Sequence, residues 1–161
     1  MRFSIGKCQV KIQFSCFALL AFCCIFVGVN NGAVCFLAVL LHEFAHVIAM
    51  YCMHSPPEKL EFSALGCRII YCKGTCISDY ANAVISLSGP VINWLCFLFM
   101  LGMGQIGCFN DSFLMANLAL GIIHSLPIEP LDGGLALRYL LQKKLGVVRA
   151  WHVSRVVSTV F

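Results

Sequence analysis

Charged residues are scarce in this sequence, and their scarcity excludes an ordinary soluble domain. Only 11% of the 161 residues are charged, 60% are hydrophobic, and the mean hydropathy is +0.89, whereas a typical soluble domain is about 25% charged. Because so few polar side chains cannot cover the apolar surface against water, lipid must solvate much of the chain. The sequence predicts one membrane-embedded domain over residues 1–161, and its net charge of +4 requires no nucleic-acid partner.

The common cysteine motifs are also missing. The chain has 11 cysteines but no C-x-x-C pair, and the spacing of Cys67, Cys72 and Cys76 fits no standard zinc knuckle. The odd total excludes complete disulfide pairing within the chain. Most of the cysteines are therefore interpreted as small hydrophobic residues.

Long apolar runs, by contrast, are present. Four segments approach the roughly 20 residues that span a bilayer, and they cover about 13–29, 33–53, 81–103 and 112–128. The predicted fold class is an all-α integral membrane protein with about four transmembrane helices. The alternative for the first segment is a cleaved signal peptide, but the following Asn30, Asn31 and Gly32 offer no small-x-small cleavage site.

The lysines and arginines indicate the orientation of these segments. They precede the first segment, separate the second from the third and follow the fourth, whereas the loops near Asn30 and Asp111 contain none. By the positive-inside rule, both termini are expected to face the cytoplasm, with a cytoplasmic tail over residues 135–161. The expected location is a cell membrane, crossed several times.

A short segment between the second and third spans has a different pattern. "KLEF" and "CRIIYC" are rich in aromatic or β-branched residues and flank "SALG", which predicts a small β-hairpin at the membrane surface. This hairpin could offer an edge strand to an extended peptide or serve only as a connector. The sequence slightly favours the connector.

The stretch "AVLLHEFAHVIAMY" places three ionisable side chains in an apolar run. His42 and His46 are four residues apart, so on a helix their imidazoles project from one face toward one point. Glu43 lies beside the first histidine, where a carboxylate can take a proton from an attacking water. This is the His-Glu-x-x-His pattern of zinc hydrolases. A charge near the bilayer centre costs about 2.5–3.5 kcal/mol, so these groups require a metal or a proton relay as a partner.

Two histidines leave the coordination of a catalytic zinc ion incomplete, because such ions usually take three protein ligands. The third ligand is expected from "HSLPIEPLDGG", where two prolines end the fourth helix and two glycines let the backbone turn. Asp132 lies on this irregular segment. The alternative is a proline-glycine turn that leaves the membrane, but it gives the aspartate no role.

These motifs together resemble the site-2 protease family of intramembrane zinc metalloproteases. "HEFAH" and "LPIEPLDGG" are similar to its two zinc motifs, and "SGPVINW" is similar to its Gly-Pro-x-x-Asn element. The opening "VKIQFSCFALLAF" resembles the compact bacterial branch that includes the stage IV sporulation protease. The resemblance extends over nearly the whole chain.

The resemblance implies a function and a set of site residues. His42, His46 and Asp132 would bind one Zn²⁺, and Glu43 would be the general base in the hydrolysis of a peptide bond in or next to the membrane. Asn93 would steady the developing oxyanion, although an interhelical hydrogen bond is an equally simple role for it.

One position departs from the family pattern. His124 stands where the second motif usually begins with asparagine. A histidine could donate the same hydrogen bond and share in catalysis, or it could compete for the metal.

The expected partners are the lipid bilayer, a membrane-tethered protein substrate such as a pro-form of a transcription regulator, and a regulatory membrane subunit. Two other functions remain open. The same histidines and aspartate could form the translocation site of a metal or proton transporter. The chain could also be a catalytically silent homologue, although Glu43 and Asp132 are both present.

Overall fold

The computed structural model describes residues 2–5, 8–63, 66–71, 77–103 and 111–160. Within these residues the chain forms six helices and four strands. In chain order they are β1 (Arg2–Ile5), β2 (Cys8–Ile12), α1 (Phe14–Val27), α2 (Val29–Cys52), β3 (Pro57–Ser63), β4 (Gly66–Tyr71), α3 (Asp79–Met103), α4 (Asp111–Ser125), α5 (Asp132–Leu145) and α6 (Val147–Val160).

The predicted hairpin is present, but it is only half of a larger sheet. β3 and β4 pair in antiparallel fashion, and β2 pairs in parallel with β3, so that the strand order is β1-β2-β3-β4. The prediction of an all-α protein with one small hairpin therefore has to be corrected. The N-terminal residues, expected only to precede a span, form the second hairpin of this sheet.

The sheet lies at the end of the helices where α1 begins and α2 ends. Val10 of β2 and Leu60 of β3 are buried together, and Val47 of α2 packs against them. Because Val47 follows His46 directly, this apolar contact joins the sheet to the part of α2 that carries the histidines. Glu61 of β3 forms an ion pair with Lys59 of the same strand at 2.7 Å, and this contact lowers the pKa of the Glu61 carboxyl. Across the two parallel strands, Lys11 of β2 lies 3.5 Å from the same carboxylate.

Among the residues that the structure describes, two helices are long and apolar enough to cross a bilayer, namely α2 with 24 residues and α3 with 25. α1 has 14 residues and α4 has 15, which is below the lower limit of about 17 for a spanning helix. Four spans therefore remain a prediction.

The outer surface of α2 is apolar, and its inner surface is polar. Exposed large side chains recur three or four residues apart along one face, and they are Leu37, Leu40, Phe44, Ile48 and Tyr51. The opposite face buries His42, His46 and Met50. A helix with its apolar face outward suits lipid as the surrounding solvent, as expected for a membrane protein.

Candidate metal centre

Helix α2 brings the two histidines of the sequence motif to one buried point. His42 and His46 are 2% and 6% exposed, and their Nε2 atoms lie 3.2 Å apart. Glu43 is also buried, at 8% exposure, beside His42 on the same helix. The expected convergence of this motif is therefore seen in the structure.

Asp132 reaches the same point from a distant part of the chain. It is the first residue of α5, directly after the irregular segment that separates α4 from α5. Its Oδ2 atom lies 3.0 Å from Nε2 of His42 and 3.4 Å from Nε2 of His46. A carboxylate in the first turn of a helix also interacts favourably with the helix dipole.

The protonation of His46 follows from its partner on α3. The Nδ1 atom of His46 lies 2.7 Å from the backbone carbonyl oxygen of Ile85. A carbonyl can only accept a hydrogen bond, so Nδ1 must carry a proton, and in the neutral form of the ring Nε2 then has the lone pair. Pro90 loosens this part of α3, because it has no N–H to bond the carbonyl of Ser86.

His42 is held in the same tautomer by side chains. Its Nδ1 atom contacts Oδ1 of Asn93 in a short hydrogen bond, and Nδ2 of Asn93 donates to Oδ1 of Asn117 at 3.0 Å. Nδ2 of Asn117 in turn donates to the carbonyl oxygen of Phe113 at 2.8 Å. With Nδ1 of His42 as the donor, its Nε2 atom also presents a lone pair to Asp132 and His46.

Three acceptor atoms therefore face one another at 3.0–3.4 Å. Their mutual repulsion is relieved when a cation lies between them. For a tetrahedral zinc ion with bonds of about 2.0–2.1 Å, neighbouring ligand atoms are about 3.3 Å apart. The donor set and its spacing fit Zn²⁺.

Gly89 of α3 leaves the space that such an ion needs. A Cβ atom built on Gly89 would lie 2.6 Å from Nε2 of His42, and closer still to Nε2 of His46. The absent side chain thus opens the backbone of α3 directly onto the two lone pairs. This explains in physical terms why a glycine precedes Pro90.

His124 joins the cluster through Asp132. Its Nδ1 atom lies 2.7 Å from Oδ2 of Asp132, and its ring centroid lies 4.4 Å from that of His42. His42, His124 and Asp132 could by distance share a metal, but 2.7 Å is shorter than the separation of two zinc ligands and is typical of a hydrogen bond. We therefore regard Nδ1 of His124 as a donor to the carboxylate.

The sequence left two roles open for Asn93, and its contacts bear on both. It is completely buried, and both ends of its amide are engaged, one with His42 and the other with Asn117. In this arrangement Oδ1 of Asn93 accepts from His42 and its Nδ2 group donates to Asn117. The geometry favours the alternative, an interhelical hydrogen bond that orients a histidine.

Sequence reasoning missed several members of this site. Asn117 lies within the fourth apolar segment, where the sequence gives no sign of its partners, and the carbonyl of Ile85 leaves no signal in a sequence. The cysteine group predicted not to bind zinc cannot be compared, because Cys72 and Cys76 lie outside the described residues and only the backbone of Cys67 is described.

No family model matches the sequence, and no curated protein matches it. Among solved structures, the protein is similar to the site-2 protease from Methanocaldococcus jannaschii, with a TM-score of 0.72 and 21% sequence identity. The likeness covers 96% of this chain and 77% of that chain. The resemblance found in the motifs is thereby confirmed at the level of the fold: the chain has the fold of a site-2 protease.

Proposed function

We propose that this protein is an intramembrane zinc endopeptidase that hydrolyses a peptide bond of a membrane-tethered protein. One observation carries the proposal: the Nε2 lone pairs of His42 and His46 and the Oδ2 atom of Asp132 converge at 3.0–3.4 Å beside a buried glutamate. The fold shared with a site-2 protease supports the same activity.

His42, His46 and Asp132 are the proposed ligands of one Zn²⁺. When bound, zinc supplies a Lewis acid that polarises a carbonyl and makes water a stronger nucleophile at neutral pH. Three protein ligands leave a fourth position for water or substrate, which distinguishes a catalytic site from a structural one.

Glu43 is the proposed general base. Its buried carboxylate lies near enough to His46 to interact with it electrostatically. It takes a proton from the water whose oxygen attacks the peptide carbonyl carbon, and it delivers that proton to the amine as the C–N bond breaks. One water is consumed, and a carboxylic acid and an amine are formed.

Asn93 and His124 are given different roles in this proposal. Asn93 positions His42 through the Nδ1 proton. His124 donates to Asp132 and so keeps its Oδ2 atom directed at the histidines. A catalytic role of His124 toward the substrate remains a prediction, as does competition of its ring for the metal.

The proposed location is a cell membrane, crossed by four segments, with both termini and the basic loops on the cytoplasmic side. The site would then lie toward the cytoplasmic half of the bilayer, next to the sheet. A substrate tethered in the same membrane reaches it without leaving the lipid. A pro-form of a transcription regulator is a fitting substrate class, and a regulatory membrane subunit is the proposed control.

The test is a processing assay in cells that express the protein with candidate tethered substrates. Glu43→Gln should abolish cleavage while purified protein still holds about one zinc per chain. Glu58→Gln, the same exchange at an exposed position of β3, is the matched control and should cleave normally. Undiminished cleavage by Glu43→Gln would refute the assignment of the base.

The transporter alternative gains no support from the geometry. Five of the buried polar or charged side chains of the described residues belong to one connected cluster at the site, and they are His42, Glu43, His46, Asn93 and Asn117. A translocation path would require polar groups at several depths.

A further inference from the structure

Asn117 lies at the far end of a chain of hydrogen bonds that leads to His42. It is fully buried on α4, and the function proposed above assigns it no task. The chain runs from the carbonyl oxygen of Phe113 through the amides of Asn117 and Asn93 to Nδ1 of His42. It crosses from α4 over α3 to α2.

The direction of this chain is fixed at its start. The carbonyl of Phe113 has lone pairs only, so the atom of Asn117 that faces it must be the Nδ2 donor. Rotating the amide of Asn117 by half a turn would place two oxygens 2.8 Å apart. The Oδ1 atom of Asn117 is therefore held toward Asn93.

The amide of Asn93 is oriented in the same way. The Oδ1 atom of Asn117 can only accept, so Asn93 must present Nδ2 to it and Oδ1 to His42. His42 must then donate from Nδ1, and its Nε2 atom is left as the metal ligand. Because an unmet hydrogen bond is costly in a buried site, this chain selects one tautomer of His42 over the other.

A competing tautomer makes this selection necessary. With its proton on Nε2 instead, His42 could donate to Oδ2 of Asp132 across the 3.0 Å that separates them. That tautomer gains a hydrogen bond in the metal-free protein, but it cannot bind the ion. The hydrogen bonds of Asn93 and Asn117 disfavour this competing tautomer.

We infer that Asn117 is a positioning residue that sets the tautomer of His42 through Asn93 and thereby prepares Nε2 to bind the metal. This inference rests on the metal site of the proposed function. It adds a residue that contacts neither metal nor substrate.

The decisive variant is Asn117→Leu, which keeps a side chain of similar length but removes the acceptor for Asn93. The amide of Asn93 is then free to rotate, and His42 can adopt the competing tautomer. ¹⁵N NMR of histidine-labelled, metal-free protein at about pH 8.5, where rings are neutral, reports which ring nitrogen carries the proton. We expect wild-type His42 to be protonated at Nδ1, and Asn117→Leu to shift a large share of the proton to Nε2.

Metal affinity provides the second readout, with Co²⁺ as the probe and Zn²⁺ as competitor. Outer partners of ligand histidines are worth about 10–100-fold in affinity, and we expect Asn117→Leu to lose about tenfold. Ser125→Ala is the matched control, since it removes another bond between α3 and α4, from Trp94 Nε1 at 3.2 Å, without touching the chain to His42.

A double-mutant cycle separates positioning from general damage. Asn93→Asp places a carboxylate next to His42 that accepts from Nδ1 in either orientation, so that Asn117 is no longer needed to orient residue 93. Its second oxygen also faces Oδ1 of Asn117 with no proton between them. In that background Asn117→Leu should therefore not weaken Co²⁺ binding. An equal loss in both backgrounds, or an unchanged tautomer in Asn117→Leu, would overturn the inference.

The two proposals fail in different ways. If wild-type protein bound no zinc and cleaved nothing, the peptidase proposal would fall, whereas the tautomer shift in metal-free Asn117→Leu would still support the positioning role. If wild type bound zinc and cleaved substrate while Asn117→Leu changed neither tautomer nor affinity, only the inference would fall.

Discussion

The two sides of the metal centre are built in different ways. On one side, the continuous helix α2 holds His42 and His46 one turn apart, and atoms of α3 and α4 orient their rings. On the other side, Asp132 follows an irregular segment between α4 and α5, residues 126–131, which we call the bend. The helix side depends on local geometry, whereas the bend side depends on contacts between distant parts of the chain.

Contacts with α5 and α6 stabilise the bend. Glu129, three residues before Asp132, accepts from the Ser154 hydroxyl of α6 at 2.6 Å, and its backbone N–H donates to Ser158 at 2.9 Å. Arg138 of α5 lies 3.5 Å from the same carboxylate. The segment that leads to Asp132 is thus supported by a helix that comes later in the chain, and both sides of the candidate metal centre have outer partners.

Removing a ligand from the helix side should have the largest effect. His46→Ala deletes one of the three proposed protein ligands, and we expect purified protein to lose nearly all bound zinc. The measurement is metal content per chain after dialysis. His152→Ala, at an exposed histidine of α6, is the control and should retain the metal; full zinc occupancy in His46→Ala would show that His46 is not a ligand.

Filling the space at Gly89 should have an effect almost as large. Gly89→Ala puts a methyl group 2.6 Å from Nε2 of His42, where the ion is expected, so we predict at least a 100-fold weaker Co²⁺ affinity, comparable to the upper range for outer-shell changes. The helix itself should not suffer, because alanine is the better helix former by about 1 kcal/mol.

Gly102→Ala on the same helix is the matched control, because a Cβ atom there meets nothing within 4 Å. It should leave metal affinity unchanged. Equal affinities of the two variants would mean that the ion does not occupy the space beside Gly89.

The helix side could be predicted from the sequence because its information is local. The spacing of His42 and His46 in one helix is enough to make them converge, and Glu43 follows from the same motif. The tautomers could not be predicted, since they depend on the carbonyls of Ile85 and Phe113, and every residue has a carbonyl. Only the fold shows which ones face the site.

The sheet was predicted in part for a similar reason. β3 and β4 adjoin in the chain and carry the residue pattern of a hairpin. The pairing of β2 with β3 joins segments on either side of α1 and α2, and the short strands β1 and β2 are weak signals by themselves. Asp132 was found because its proline and glycine neighbours gave it no other role, but the partners Ser154 and Ser158 left no pattern.

On the bend side, crowding at Gly133 should be the strongest perturbation. A Cβ atom there would lie 2.5 Å from the carbonyl oxygen of Ser125 and 2.6 Å from that of Leu126, and backbone atoms cannot move aside easily. We expect Gly133→Ala to cost about 1–3 kcal/mol of stability, as overpacking does, and to weaken metal binding because Asp132 is displaced. Thermal unfolding and Co²⁺ titration measure both effects. If Gly133→Ala had the same unfolding temperature and the same Co²⁺ affinity as Gly102→Ala, the close packing of the bend would be contradicted.

The support from α6 should give the smallest effect, and it tests whether the bend depends on that helix at all. Ser154→Ala removes the hydroxyl that donates to Glu129, and a hydrogen bond to a charged group is worth about 1.5–3 kcal/mol. Because Glu129 is not itself a ligand, we expect only part of this loss to reach the metal, as a several-fold weaker Co²⁺ affinity with a lower unfolding temperature. Thr159→Ala removes an exposed hydroxyl of the same helix that donates to the carbonyl of Val156, and it should change neither quantity. If Ser154→Ala and Thr159→Ala had the same Co²⁺ affinity and unfolding temperature, α6 would pack beside the site without stabilising it. The conformation of the bend would then depend on α4 and α5.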